Sequence, residues 1–155
     1  MSISIQNEIE IAASAEELFN YVTRPWLWHE WHPSSKSANA AHSVLATGDE
    51  FIEVLEVQPL APLPPRMTRE TEYTVTESVP FQTWETEGRM KDGWIRIRYD
   101  FAEKGGVTFF CRTLEFDVTG LNRILLPMLK SKMEKLSMVA LNNLKTKMQE
   151  KPDES

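Results

Sequence analysis

The chain has 155 residues, 41% hydrophobic and 26% charged, with a net charge of −6; this fits one globular domain and excludes a disordered polyelectrolyte. Residues 1–120 hold 10 Lys and Arg against 19 Asp and Glu, whereas residues 121–151 hold 7 against 2. An acidic body repels phosphate backbones, so no nucleic-acid partner is expected, and the C-terminal lysines read as the solvated face of a packed helix.

In chain order, Ile3, Ile5, Ile9 and Ile11 alternate with polar residues, which predicts a half-buried strand. Ser14 and Glu17 form a capping box for a short helix with Leu18, Phe19 and Val22 on its apolar side. Pro25 ends it, because the residue before a proline is pushed out of the helical region. Trp26-Leu27-Trp28-His29-Glu30-Trp31-His32-Pro33 is the densest aromatic stretch and predicts a second short helix stopped by Pro33. A polar loop is expected to run through Asn39. Strand patterns follow at 50–58, 67–78, 81–90, 94–103 and 107–118, with turns at Ser78-Val79-Pro80, Lys91-Asp92-Gly93 and Glu103-Lys104-Gly105-Gly106. Four prolines make 59–65 a stiff loop that cannot join a ladder.

Leu121, Leu125, Leu129, Met133, Leu136, Ala140 and Leu144 recur at helical spacing and predict one long amphipathic helix reaching about Lys151. Pro127 either sits in its first turn, with 121–126 a separate turn, or kinks it. Antiparallel strands cannot bury their apolar face alone. The expected fold class is therefore α+β, a curved antiparallel sheet of six to seven strands wrapped around the C-terminal helix. Residues 1–151 are expected to form the single domain, with 152–155 a disordered tail.

The single cysteine, Cys111, permits no intrachain disulfide, which suits a reducing compartment. The N-terminus lacks a basic region followed by an apolar core, and no apolar run approaches the roughly 18 residues that span a bilayer. The location expected by default is cytoplasmic.

Three local motifs carry a resemblance. Trp31-His32-Pro33 resembles a Trp-x-Pro segment, Tyr73 to Phe81 a strand–Pro–strand corner, and Gly105-Gly106-Val107-Thr108 followed by Thr113-Leu114-Glu115-Phe116 a Gly-Gly-Thr turn and final strand. Their order resembles the START and birch-pollen-allergen (Bet v 1-like) helix-grip superfamily, in its polyketide cyclase/dehydrase-like (SRPBCC) branch. The resemblance implies a cavity between sheet and C-terminal helix that takes lipids, polyketides or other apolar molecules. It does not imply one activity, since fold is weak evidence for chemistry.

The cavity-lining candidates are Trp28, Trp31, Phe51, Leu55, Arg69, Tyr73, Trp84, Ile97, Tyr99, Leu129, Met133 and Leu136. The indoles suit a wet-dry boundary. Tyr73 and Arg69 share the parity of Thr71 and Val75, so the tyrosine hydroxyl points inward and Arg69 either leaves the buried part of its strand or anchors a carboxylate. Ile97 and Tyr99 face inward while Arg96 and Arg98 face solvent near Glu85 and Glu87. His29, His32 and Glu30 match no known ligand spacing, so no metal is expected, and Cys111 has no readable base. No catalytic residue and no cofactor are assigned. The expected function is binding or carriage of a hydrophobic small molecule; the alternatives are a polyketide cyclase/dehydratase-type enzyme and a protein-interaction domain with a vestigial cavity. Oligomeric state is not readable.

Overall fold

Alternation of apolar and polar side chains along seven strands decides which face of the sheet meets the helix. The computed structural model describes residues 2–57, 66–124 and 126–150. The elements are β1 (Ile3–Ile11), α1 (Ala15–Val22), a 3-10 turn (Pro25–Glu30), β2 (Ser35–Ala40), β3 (Glu50–Val57), β4 (Met67–Val79), β5 (Thr83–Met90), β6 (Gly93–Lys104), β7 (Val107–Val118), a second 3-10 turn (Gly120–Arg123) and α2 (Leu126–Gln149). All seven strands form one antiparallel sheet in the order β1-β7-β6-β5-β4-β3-β2. The first strand thus closes beside the last, which brings residues far apart in sequence into one interior.

Strand β7 shows the alternation most fully. Thr108, Phe110, Arg112, Leu114, Phe116 and Val118 are buried, and the residues between them are not. The opposite face of the sheet carries the ion pairs. Arg96 meets Glu87 at 3.2 Å and Glu115 at 2.7 Å, and Arg98 meets Glu77, Glu85 and Asp100 at 3.0–3.3 Å. These pairs are partly exposed and contribute about 0–1 kcal/mol each.

Ser14 caps α1 as the sequence implies, its hydroxyl accepting from the Glu17 amide at 3.1 Å. The second short helix expected in the aromatic stretch is the 3-10 turn, which opens on Pro25 and ends at Glu30, ahead of Pro33. Residues 35–40 are a strand, not the polar loop expected. Ser35, Lys36, Ser37, Ala38, Asn39 and Ala40 carry no hydrophobic alternation, so β2 is held at the sheet edge by backbone pairing with β3. The stiff loop expected at 59–65 lies outside the described residues, as do Leu125 and residues 151–155.

Pro127 is the second residue of α2, in the first turn, where its missing N–H costs nothing. The preceding 3-10 turn is separate. The helix has 24 residues and is about 36 Å long. Its buried stripe is Ser137, Ala140, Leu141, Leu144 and Met148. Leu136, predicted to face the interior, is instead 37% exposed. The helix is rotated so that Ser137 meets polar groups of the sheet, and Leu136 falls one residue, about 100°, away. Leu129 and Met133 are half-buried. Among the described residues no helix is long and apolar enough to cross a membrane.

A buried polar cluster as the candidate functional site

The interior is walled by aromatic rings that the inward parity of β3–β7 brings together. Phe51 stacks on Tyr73 at 4.8 Å, Trp84 on Tyr99 at 5.5 Å, and Tyr99 leans on Phe110 at 5.1 Å. Trp28 comes down from the 3-10 turn, edge-on to Phe51 at 5.6 Å and to Tyr73 and Trp84 at 6.1 Å. Its Nε1–H is committed to the Val22 carbonyl at 2.7 Å, which ties the turn to α1.

Two charged residues stand in this apolar wall. Glu53 lies between Phe51 and Leu55 on the inward parity of β3, and Arg112 between Phe110 and Leu114 on that of β7; each is 4% exposed. The Tyr73 hydroxyl donates to Glu53 Oε1 at 3.3 Å. Thr71 sits opposite Glu53 on the neighbouring strand, and Ser35 lies beside it without a well-formed hydrogen bond. Arg112 is flanked by Asn7 on β1 and Tyr99 on β6. Its Nη1–H donates to Ser137 Oγ at 3.0 Å, and the Ser137 hydroxyl passes its own hydrogen to Asn7 Oδ1 at 2.8 Å. One relay thus joins β7, α2 and β1.

Burial sets the ionisation of the cluster. It pushes the Glu53 carboxyl up to about 7, against the opposing pull of Ser35, Tyr73 and Arg112. Burial, then the charge of Glu53, holds the Tyr73 phenol well above its ordinary range, and burial raises Tyr99 to about 12 with Arg112 opposing. Burial and then the Arg112 charge lower the His32 imidazole to about 3. His32 Nδ1 accepts from the Ser34 amide at 3.2 Å, so the neutral ring carries its hydrogen on Nε2.

Among the described residues five buried polar atoms find no partner: Trp31 Nε1, Ser35 Oγ, Thr71 Oγ1, Trp84 Nε1 and Arg112 Nε. Leaving each one bare costs about 1–3 kcal/mol. Three of them are N–H groups that can only donate, so whatever satisfies them must bring acceptor atoms.

Among the predicted lining residues, Trp28, Trp31, Phe51, Tyr73, Trp84, Ile97 and Tyr99 are all buried in this one core. Met133 packs against it half-buried, and Leu55 is half-buried on β3. Arg69 does not join them. It lies near the start of β4, 35% exposed, and pairs with Asp92 at 3.1 Å. Glu53, Arg112, Ser137 and Asn7 were not among the sequence candidates. The signal for the first two was present, as a charged residue flanked at i±2 by large apolar residues on a strand.

Gly88 positions the cluster from below. A Cβ there would stand 2.6 Å from both Tyr73 Cε1 and Thr71 Cγ2. Gly88→Ala is expected to drive the Tyr73 ring off Glu53 and to destabilise the fold by about 1–3 kcal/mol. Urea denaturation checks this; an unchanged midpoint would mean that the ring is not held over this glycine.

An open depression lies elsewhere, on the outer face of the sheet, lined by Glu50, Glu72, Glu87, Arg89, Trp94 and Arg96 among others. It is open to solvent, and Arg96 is already committed to Glu87 and Glu115. Among the described residues no group of His, Cys, Asp or Glu is placed to hold a metal ion.

Comparison with known proteins follows the same lines. The chain superposes on the Zhui aromatase/cyclase from Streptomyces sp. R1128 with TM-score 0.73 and 12% identity, covering 96% of this chain and 94% of that one. A START superfamily protein from Mycobacterium smegmatis matches with TM-score 0.72 and 15% identity, over 95% and 97% of the two chains. A conserved protein from Geobacillus kaustophilus matches with TM-score 0.72 and 16% identity, over 96% of each. These likenesses establish the helix-grip fold. No curated protein matches the sequence. The family model described as polyketide cyclase/dehydrase and lipid transport matches residues 2–149, and the chain belongs to that family.

Proposed function

We propose that this protein binds an apolar small molecule bearing acceptor oxygens, held between the sheet and α2 with its oxygens against the buried cluster. The observation that carries this reading is the set of unsatisfied donors, Trp31 Nε1, Trp84 Nε1 and Arg112 Nε, inside an aromatic wall. A pure hydrocarbon would bury these groups unmet at about 1–3 kcal/mol each, whereas carbonyl, phenolic or carboxylate oxygens satisfy them. Membership of a family described as polyketide cyclase/dehydrase and lipid transport is consistent with such a ligand.

A second reading rests on Glu53. A carboxyl raised to about 7 exchanges its proton near neutral pH, as a general acid or base must, and Tyr73 lies in hydrogen-bond contact with it. In this reading Glu53 moves a proton at a carbon beside a ligand carbonyl, the step that starts a cyclisation or dehydration. Native mass spectrometry of freshly purified protein, followed by solvent extraction, tests binding; an apolar, oxygen-bearing passenger is expected. Glu53→Gln then separates the two readings. A carrier keeps its passenger unchanged in this variant. An enzyme keeps binding and accumulates the unreacted form.

A further inference from the structure

We propose that the ligand is an organic anion, an aromatic or aliphatic carboxylate whose charged oxygens lie against the Arg112 guanidinium. This rests on the interior being a ligand site and names the class of ligand it takes. Arg112 is 4% exposed, and among the described residues it forms no ion pair. Its Nη1–H donates to the neutral Ser137 hydroxyl, the neutral Tyr99 hydroxyl lies beside it, and its Nε–H has no partner. Buried charges are expected to be paired, because desolvating a lone guanidinium is costly. A guanidinium presents donors in a planar fork that suits the two oxygens of a carboxylate. The aromatic wall beside it takes the apolar body of the same molecule.

Glu53 shapes how such an anion enters. The groups around it are Ser35 on β2, Thr71 and Tyr73 on β4, Tyr99 on β6 and Arg112 on β7, and the neutral His32 acts on Arg112 rather than on Glu53. Arg112 is the one charge among them at neutral pH. An ionised Glu53 competes with an incoming carboxylate for that charge, so the anion binds best when Glu53 holds a proton, and binding drives proton uptake.

Isothermal titration calorimetry of the full chain with decanoate and 2-naphthoate, against their methyl esters, tests the proposal. At pH 6 the acids are expected to bind about ten- to hundredfold more tightly than the esters. That advantage shrinks above pH 7 in the wild-type protein. Arg112→Gln, if folded by circular dichroism, is expected to abolish it. Glu53→Gln carries the test if the arginine variant does not fold, because it retains the advantage at pH 8, where the wild type has lost most of it. Equal binding of acids and esters overturns the anion proposal while the ligand site stands. Binding of neither overturns both.

Discussion

Glu53→Gln is expected to leave the unliganded protein unchanged in stability at pH 4 and to make it more stable than wild type by about 3 kcal/mol at pH 8. The ordinary value for this carboxyl is 4.5 and the folded chain raises it to about 7. Between those limits the folded protein keeps a proton that the unfolded chain releases. Stability attributable to Glu53 therefore falls as pH rises through the window, by about 1.4 kcal/mol per unit, and stays low above it. Glutamine has nearly the same shape and cannot ionise, so it escapes the loss. His32 tilts the profile the other way. Its folded value is depressed to about 3 from 6.5, so stability is lost as pH falls through that range. Between pH 4.5 and 6.5 the two slopes oppose, and the wild-type curve alone hides both. Urea denaturation of wild type and variant at pH 4, 6 and 8 isolates Glu53 in the difference. A difference that does not grow with pH would mean that Glu53 stays ionised in the folded state, paired with Arg112.

Period-two alternation made most of the sheet legible. It placed Tyr73, Trp84, Ile97 and Tyr99 inward and Arg96 and Arg98 outward, because an apolar face leaves a strong imprint on sequence. Strand β2 was not legible, since it pairs with β3 alone, through the backbone, and its side chains carry no apolar alternation. The polar half of the site was missed for a different reason. The parity rule that singled out Arg69 applies equally to Glu53 and Arg112, yet Arg69 lies at the rim beside Asp92 while the other two lie deep. How deep an inward residue sits depends on where along its strand the helix crosses, and one sequence does not show that. The helix stripe failed in the same place. Choosing apolar residues by type selected Leu136, whereas the rotation of α2 is set by its buried residues, of which Ser137 meets Arg112 and Asn7.

Trp84→Ala is expected to cost about 3–5 kcal/mol, a fall in melting temperature of about 6–20 °C for a domain of this size. Trp84 is fully buried on the central strand β5, in ring contact with Tyr99 at 5.5 Å, Trp28 at 6.1 Å and Phe51 at 6.2 Å. Its loss opens a hole lined by rings on several strands, and those strands cannot close it without breaking their pairing. Such an apolar hole stays dry and accepts a flat apolar guest, so added indole is expected to restore part of the lost melting temperature in the variant and to leave wild type unmoved. Trp84→Phe separates packing from recognition. It keeps a ring in the stack and removes the Nε1–H, which has no partner in the unliganded protein. Its stability is therefore expected to lie much closer to wild type than that of Trp84→Ala. If that N–H exists to meet a ligand oxygen, the phenylalanine variant weakens ligand binding well beyond its small effect on folding. If the two effects track each other, the indole is a wall and not a recognition group.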